Sequence, residues 1–483
     1  MKLLDLLNGV SYQLLSGELE KEINNIQYDS RKIEVDDLFV CLTGFEVDGH
    51  NYANKAIEAG AKVIICEKNI DIKENDVTVL LVKEGRKALA LMAANYYGHP
   101  TRKLKLIGVT GTNGKTTTVY LLKSMLEKAG KKVGLVGTIA NYIGDTKIKS
   151  ERTTPESLEL QKLFKDMVEA DCEYCVMEVS SHSLYLDRVY GCEFEIGIFT
   201  NLTRDHLDFH KSFDNYYDAK FKLFQRSKSC VINVDDDFGY RVLRDVEKLD
   251  NKEIKTYSIK NESDFKASDL MLKEGDIHFK INGEEFNSVL PGEYNVYNAL
   301  GAVGAMSILG IDKELMRKGL LDVVVPGRCE RIGYKYDIPY DIIIDFAHTP
   351  DGLKNILETL KGFTKNRLIA VYGCGGDRDK VKRAELGRIG TELADLAIIT
   401  SDNPREEDPM VIIKEIVAGI KKSNYLAIEN RVEAIKLALG MAEEGDVIVL
   451  AGKGHENYQI VNEGVIHFDE REIVDDILEN KKK

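Results

Sequence analysis

Short apolar runs, separated by polar stretches rich in turn formers, recur along the whole chain. Runs at Leu38–Leu42, Lys62–Cys66 and Val77–Val82 alternate with helical spacing such as Asn51–Ala59, which predicts a small α/β unit. His99-Pro100-Thr101 then interrupts the pattern, because proline restricts the residue before it, and marks a linker. Strands are expected next at Leu104–Val109, Val133–Val136, Tyr174–Val179, Ile196–Asn201 and Cys230–Asn233. Their alternation with helical patterns is that of a largely parallel sheet covered by helices. Pro326-Gly327 breaks the run again, and strands at Ile342–Asp345, Leu368–Tyr372, Leu396–Thr400 and Val447–Ala451 read as a Rossmann-like segment. The expectation is an α/β chain of three domains, spanning residues 1–100, 101–327 and 328–483.

Length agrees, since 483 residues exceed what one hydrophobic core serves. Apolar residues at 43% and charged residues at 30% describe an ordinary globular protein. Sixty-six basic against 80 acidic residues give a net charge of −14, which argues against nucleic acid or anionic lipid as a partner. The start carries Asp5 and no continuous apolar core, so no signal peptide is expected, and no apolar run approaches a bilayer span. A cytoplasmic monomer without a stable membrane anchor is the expectation. Eight scattered cysteines suggest reduced thiols. Cys172 and Cys175 form a C-x-x-C, but they lead into an apolar strand and no second ligand pair accompanies them, so zinc is not expected. The closing Lys481-Lys482-Lys483 reads as a solvated tail.

Chemistry enters at Gly108-Val-Thr-Gly111-Thr112-Asn113-Gly114-Lys115-Thr116-Thr117, between a strand and a helix, which is the setting of a phosphate-binding loop. Glycines let backbone N–H groups close on phosphates, Lys115 supplies a cation and the Thr116 hydroxyl can reach magnesium. The strict pattern would put its first glycine where Val109 stands, so this is a variant loop. ATP is the expected ligand.

Two further segments end strands: Glu178-Val-Ser180-Ser-His182 and Asn201 to His210. In an open α/β sheet such ends line the ligand crevice, so they should face Lys115. Glu178 and His206 have the chemistry to hold a divalent cation, magnesium being favoured by oxygen. His182 and His210 read equally well as hydrogen-bonded scaffold residues.

The segment Gly111 to Thr117 resembles the Mur ligases and their folylpolyglutamate synthetase cousins, and the resemblance runs through nearly the whole chain. Asp218-Ala-Lys220-Phe-Lys-Leu-Phe224 resembles the family segment whose lysine is carbamylated, which implies a carbamate on Lys220 as a magnesium ligand beside Thr116, Glu178 and His206. Lys115, Glu178, His206 and Lys220 are thereby the implied catalytic set. Leu290 to Ala299, Pro326 to Glu330 and Asp345 to Asp351 resemble the blocks around the nucleotide, implying that Asn298, Arg328 and Asp345 contact ATP with the loop; Cys329 replaces a commoner methionine.

Tyr28 to Arg31 and Asp48 to Tyr52 look like uridine-nucleotide-binding segments, with Ser30 the site residue; read alone they are ordinary turns. Thr153-Thr154-Pro155, Ser180 and Arg188 match the segments holding a muramoyl peptide, while Leu186 departs from a polar residue found in some relatives. In the third domain Arg378, Asp402-Asn403-Pro404-Arg405, Gly452 and Glu456 match the site of the incoming amino acid. Asp-Asn-Pro-Arg there goes with meso-diaminopimelate, whose distal carboxylate an arginine can grip with two bonds, though the same four residues also suit a plain turn. The resemblance thus implies an ATP- and magnesium-dependent amide ligase of cytoplasmic peptidoglycan precursor synthesis. It would add meso-diaminopimelate to UDP-MurNAc-L-Ala-D-Glu through an acyl phosphate. An L-lysine-adding ligase, a folylpolyglutamate-type ligase and a noncatalytic nucleotide-binding scaffold stay open as alternatives.

Overall fold

A computed structural model of the chain describes all residues except 45–46, 75, 274–275 and 482–483. The solvated tail expected at the end thus lies, for Lys482 and Lys483, outside the described residues.

Three sheets follow one another along the chain. The first has the spatial order Tyr12–Ser16, Thr78–Val82, Val63–Cys66, Leu38–Val40, Ile26–Gln27, parallel except for its first strand. Those central strands are buried on both faces, which explains why the sequence shows continuous apolar runs there rather than alternation.

The second sheet is the largest. Its parallel centre runs Glu253–Ser258, Ser227–Asn233, Phe194–Phe199, Lys105–Thr110, Tyr174–Glu178, Val133–Val136. Antiparallel ribbons extend it at both edges, Asn141–Ile143 with Thr146–Ile148 on one side and, on the other, Phe265–Lys273, which runs parallel to Glu253–Ser258, followed by Asp276–Ile281 and Glu284–Ser288. One face is covered by the helices Lys115–Lys128 and Glu293–Ile308. The second of these is apolar nearly all round and almost wholly buried, as expected of a helix caught between a sheet and other helices.

The third sheet, Glu330–Ile332, Asp341–Asp345, Val447–Ala451, Leu368–Tyr372, Leu396–Ile399, Tyr425–Ala427, is parallel except for its first strand. A separate hairpin, Tyr458–Val461 with Gly464–His467, follows it. No helix among the described residues is long and apolar enough to cross a membrane.

Candidate active site

The phosphate loop leaves the central strand Lys105–Thr110 and enters its helix through Gly114, whose φ of +86° favours glycine. An added Cβ at Gly114 would also collide with Asn298 Oδ1 from the buried helix Glu293–Ile308. The neighbouring strands end beside the loop because all are parallel and in register, Glu178 pairing with Val109 and Phe199 with Thr110. Asn201 Oδ1 accepts from the Asn113 N–H at 2.9 Å, so the next strand end holds the loop open.

A cleft of about 1340 Å³ runs from this loop to the third sheet. It is lined by the whole segment Gly111–Thr117, by Asn298, Arg328 and Asp345, and by Glu178, His206 and Lys220. Thr153, Thr154, Ser180 and Arg188 form another part of its wall, and Arg378, Asp402, Asn403, Arg405, Gly452 and Glu456 the part opposite. Ser30 is not among the lining residues: it opens a short turn of the first unit, where Asp29 accepts from the Arg31 N–H. Pro404 is buried behind the wall and does not line it either.

Glu178 is buried and accepts from the Thr116 hydroxyl at 2.9 Å, the Thr138 N–H at 2.8 Å and the Thr138 hydroxyl at 3.0 Å. All three of these donors are neutral. His206 lies at the mouth of the adjacent loop, its ring edge-on to His182, and burial pushes its imidazole down to about 4. The lowered value favours the neutral imidazole, which has a lone pair to give a metal. His210 is buried, stacked on Tyr216 and bonded to Ser181 Oγ at 2.9 Å, whereas His182 faces the cleft.

Lys115 and Lys220 both donate to the Gly111 carbonyl, at 2.9 and 2.7 Å, and Lys115 also to the Thr112 carbonyl at 2.8 Å. Burial, and the repulsion of Lys115, hold the Lys220 amine well below its ordinary value; burial lowers Lys115 too. Among the described residues no group of three His, Cys, Asp or Glu side chains is placed to hold a metal ion by itself. Arg328 points an Nη at Thr116 Oγ1 (3.4 Å) and stacks on Phe346, while buried Asp345 accepts from the N–H groups of Cys329 and Ala347.

On the opposite wall Arg405 has a φ of +56°, which costs a non-glycine residue about 1–2 kcal/mol. It is held by the Gly376 carbonyl at 2.8 Å. Asn403 donates to Glu456 Oε2 at 2.9 Å, and the fully buried Lys453 amine donates to both, at 3.0 Å each. Asp402 Oδ2 is buried without a hydrogen-bond partner, beside Gly452.

Models of three Mur ligase domains match the sequence: the family's catalytic domain over residues 22–97, the middle domain over 109–306 and the glutamate ligase domain over 327–454. The chain is 57% identical to a Clostridium perfringens protein named UDP-N-acetylmuramoyl-L-alanyl-D-glutamate--2,6-diaminopimelate ligase, over 100% of both chains. The chain belongs to the Mur ligase family. A Clostridium tetani protein of the same name is 56% identical over 99% of each chain. A solved structure of a ligase of that name superposes with a TM-score of 0.72 at 31% identity, covering 100% of this chain and 99% of the other. Mur ligases are ATP-dependent amide ligases, and this chain is one.

Three residues in or behind the wall of the Mur ligase cleft escaped the sequence reading. Thr138 follows the strand Val133–Val136 and holds Glu178, so the rule of strand ends would have found it. Lys453 stands between Gly452 and Glu456, with nothing local to mark it. Glu156 lies two residues beyond Thr154, and nothing local distinguishes it.

Proposed function

We propose that this Mur ligase joins meso-diaminopimelate to UDP-MurNAc-L-Ala-D-Glu with conversion of ATP to ADP and phosphate, in the cytoplasm and as a monomer. The observation that carries the reading is the single cleft in which Lys115 and Glu178 face the wall bearing Arg405, Asn403 and Glu456. The names of the full-length relatives support it.

In this reading the Gly111–Thr117 loop cradles the phosphates and the Lys115 amine leaves the Gly111 and Thr112 carbonyls for a phosphate oxygen. Asn298, Arg328 and Asp345 enclose the rest of the nucleotide. Ser30, on the first unit, meets the uridine end of the substrate, and Thr153, Thr154, Ser180 and Arg188 hold its peptide end. A substrate carboxylate attacks the γ-phosphate and displaces ADP, forming an acyl phosphate. The amine of the incoming amino acid then attacks the acyl carbon, and phosphate leaves with the formation of the amide. Arg405 and Arg378 grip the distal carboxylate of diaminopimelate, while Asp402, Asn403, Pro404, Gly452 and Glu456 shape the rest of its seat. An unpaired Arg405 facing the ammonium of L-lysine repels it.

Magnesium fits the donors present, and when bound it neutralises phosphate charge so that two anions can approach. Thr116, Glu178 and neutral His206 are the residues that would hold it. Lys220 would join them as a carbamate, and its depressed basicity leaves the free amine that carbamylation requires.

The test is phosphate release from ATP with magnesium and UDP-MurNAc-L-Ala-D-Glu, comparing meso-diaminopimelate, L-lysine and no amino acid, with product mass to identify the amide. Release that depends on diaminopimelate supports the reading. Release with lysine alone removes the assignment of Arg405, and silence with both removes the substrate assignment.

A further inference from the structure

One buried carboxylate behind the wall of the cleft binds three arginines. Glu156 lies 2.8 Å from Arg188 Nη2 and 2.8 Å from Arg152 Nη1 through Oε1, and 3.1 Å from Arg86 Nη1 through Oε2. Glu156 immediately precedes the helix Ser157–Glu169, yet its side chain caps no N–H of that helix and turns to the guanidiniums instead. Arg152 and Arg188 line the cleft, whereas Arg86 comes from the helix Gly85–Tyr96 of the first unit and does not.

Three cations about one anion leave an excess of two positive charges among these four residues, with Glu156 and Arg188 largely covered and Arg152 reaching solvent. Guanidiniums so close repel one another, and without the carboxylate they would part. With it they hold one geometry before any ligand arrives, which removes the cost of ordering two long side chains during binding. The segment is also fixed against the reaction centre. Thr154 Oγ1 donates to the Glu178 carbonyl at 2.8 Å, and Arg188 donates to the Thr154 carbonyl at 3.1 Å. Arg188 Nε is buried and has no partner.

We infer that Glu156 is a positioning residue: it presents Arg188 and Arg152 as a preformed fork for the substrate carboxylate that stays free while the other is activated. Arg86 anchors that fork to the unit expected to carry the uridine end. The inference rests on the proposed substrate.

The experiment is calorimetric binding of UDP-MurNAc-L-Ala-D-Glu and of UDP-MurNAc-L-Ala, which lacks both glutamate carboxylates, to the full chain and to E156Q. Removing a charged hydrogen-bond acceptor should weaken binding of the glutamate-bearing ligand about tenfold or more. Binding of the shorter ligand should stay within about twofold, a split that general loosening of the fold does not produce. E156D, which keeps the charge but withdraws it by one methylene, should show a smaller loss in the same ligand only, and it carries the test should E156Q fail to fold. Equal weakening of both ligands, or of neither, overturns the inference while the wild-type preference for the longer ligand leaves the proposed substrate standing. A wild-type chain that binds the two ligands equally removes the proposed substrate and this inference together.

Discussion

Single side chains in this cleft are held by contacts that predict what their loss will do. Gly114 combines a left-handed backbone with contact to Asn298, so Gly114→Ala has no comfortable conformation. Strain of roughly 1–3 kcal/mol is expected to appear as ATP binding weakened about tenfold or more, read by nucleotide titration of the folded variant. Arg405 is the residue on which choice of amine depends in the proposed reading. Arg405→Ala should lower kcat/KM for meso-diaminopimelate on the order of 100-fold, the scale of an unpaired charged hydrogen bond, with the KM for ATP little changed. If diaminopimelate turnover survives intact, the grip on its distal carboxylate lies elsewhere.

At the scale of elements, the loops of the third unit depend on an ion cluster built round the buried Arg383. Arg383 binds Glu407 Oε1 at 2.8 Å and Glu415 Oε2 at 2.6 Å, and Glu407 also accepts from the Asp377 N–H at 2.5 Å. This ties the Gly375–Arg378 loop to the turn that carries Arg405. The bond to Arg383 holds the Glu407 carboxyl down at about 2, against 4.5 ordinarily. A lowered carboxylate contributes stability that is present above about pH 4.5 and is lost as pH falls through about 2. Glu407→Gln should therefore lower Tm at pH 7, and the gap to wild type should close progressively below pH 4.5, as followed by circular dichroism melts. A gap that is constant with pH would mean that shape, and not charge, holds the loops together. The strands of these elements were legible in the sequence because parallel, doubly buried strands leave unbroken apolar runs: Val133–Val136, Leu368–Tyr372 and Val447–Ala451 fall where expected. The ribbon Asp276–Ser288 was missed although Asp276–Ile281 alternates polar and apolar residues, the pattern of a half-buried strand; attention to unbroken apolar runs passes over it. The cleft residues were legible where strand ends or a glycine loop marked them. Glu156 and Lys453 were not, because their meaning comes from arginines, an asparagine and a glutamate brought near by folding.

The whole molecule is bridged across its cleft. Asn113 in the phosphate loop donates to Asp351 Oδ2 at 2.8 Å, at the start of the helix Pro350–Lys361 that follows the third sheet's strand Asp341–Asp345. Asp351→Ala removes this link while leaving both sheets untouched. The ligand-free variant should show a larger radius of gyration than wild type in small-angle scattering, and saturating ATP should bring the two together; identical ligand-free curves would show that other contacts set the closure. The division of labour between sheets has a longer consequence. In the proposed reading the loop and metal-holding groups that handle phosphate belong to the second sheet's unit, with Arg328 and Asp345 reaching the nucleotide from the third, and groups facing the incoming amine follow strand ends of the third sheet. An inherited change confined to Asp402–Arg405 and Gly375–Arg378 can therefore redirect which cross-linking residue enters the wall, while the phosphoryl chemistry passes unaltered to the descendants.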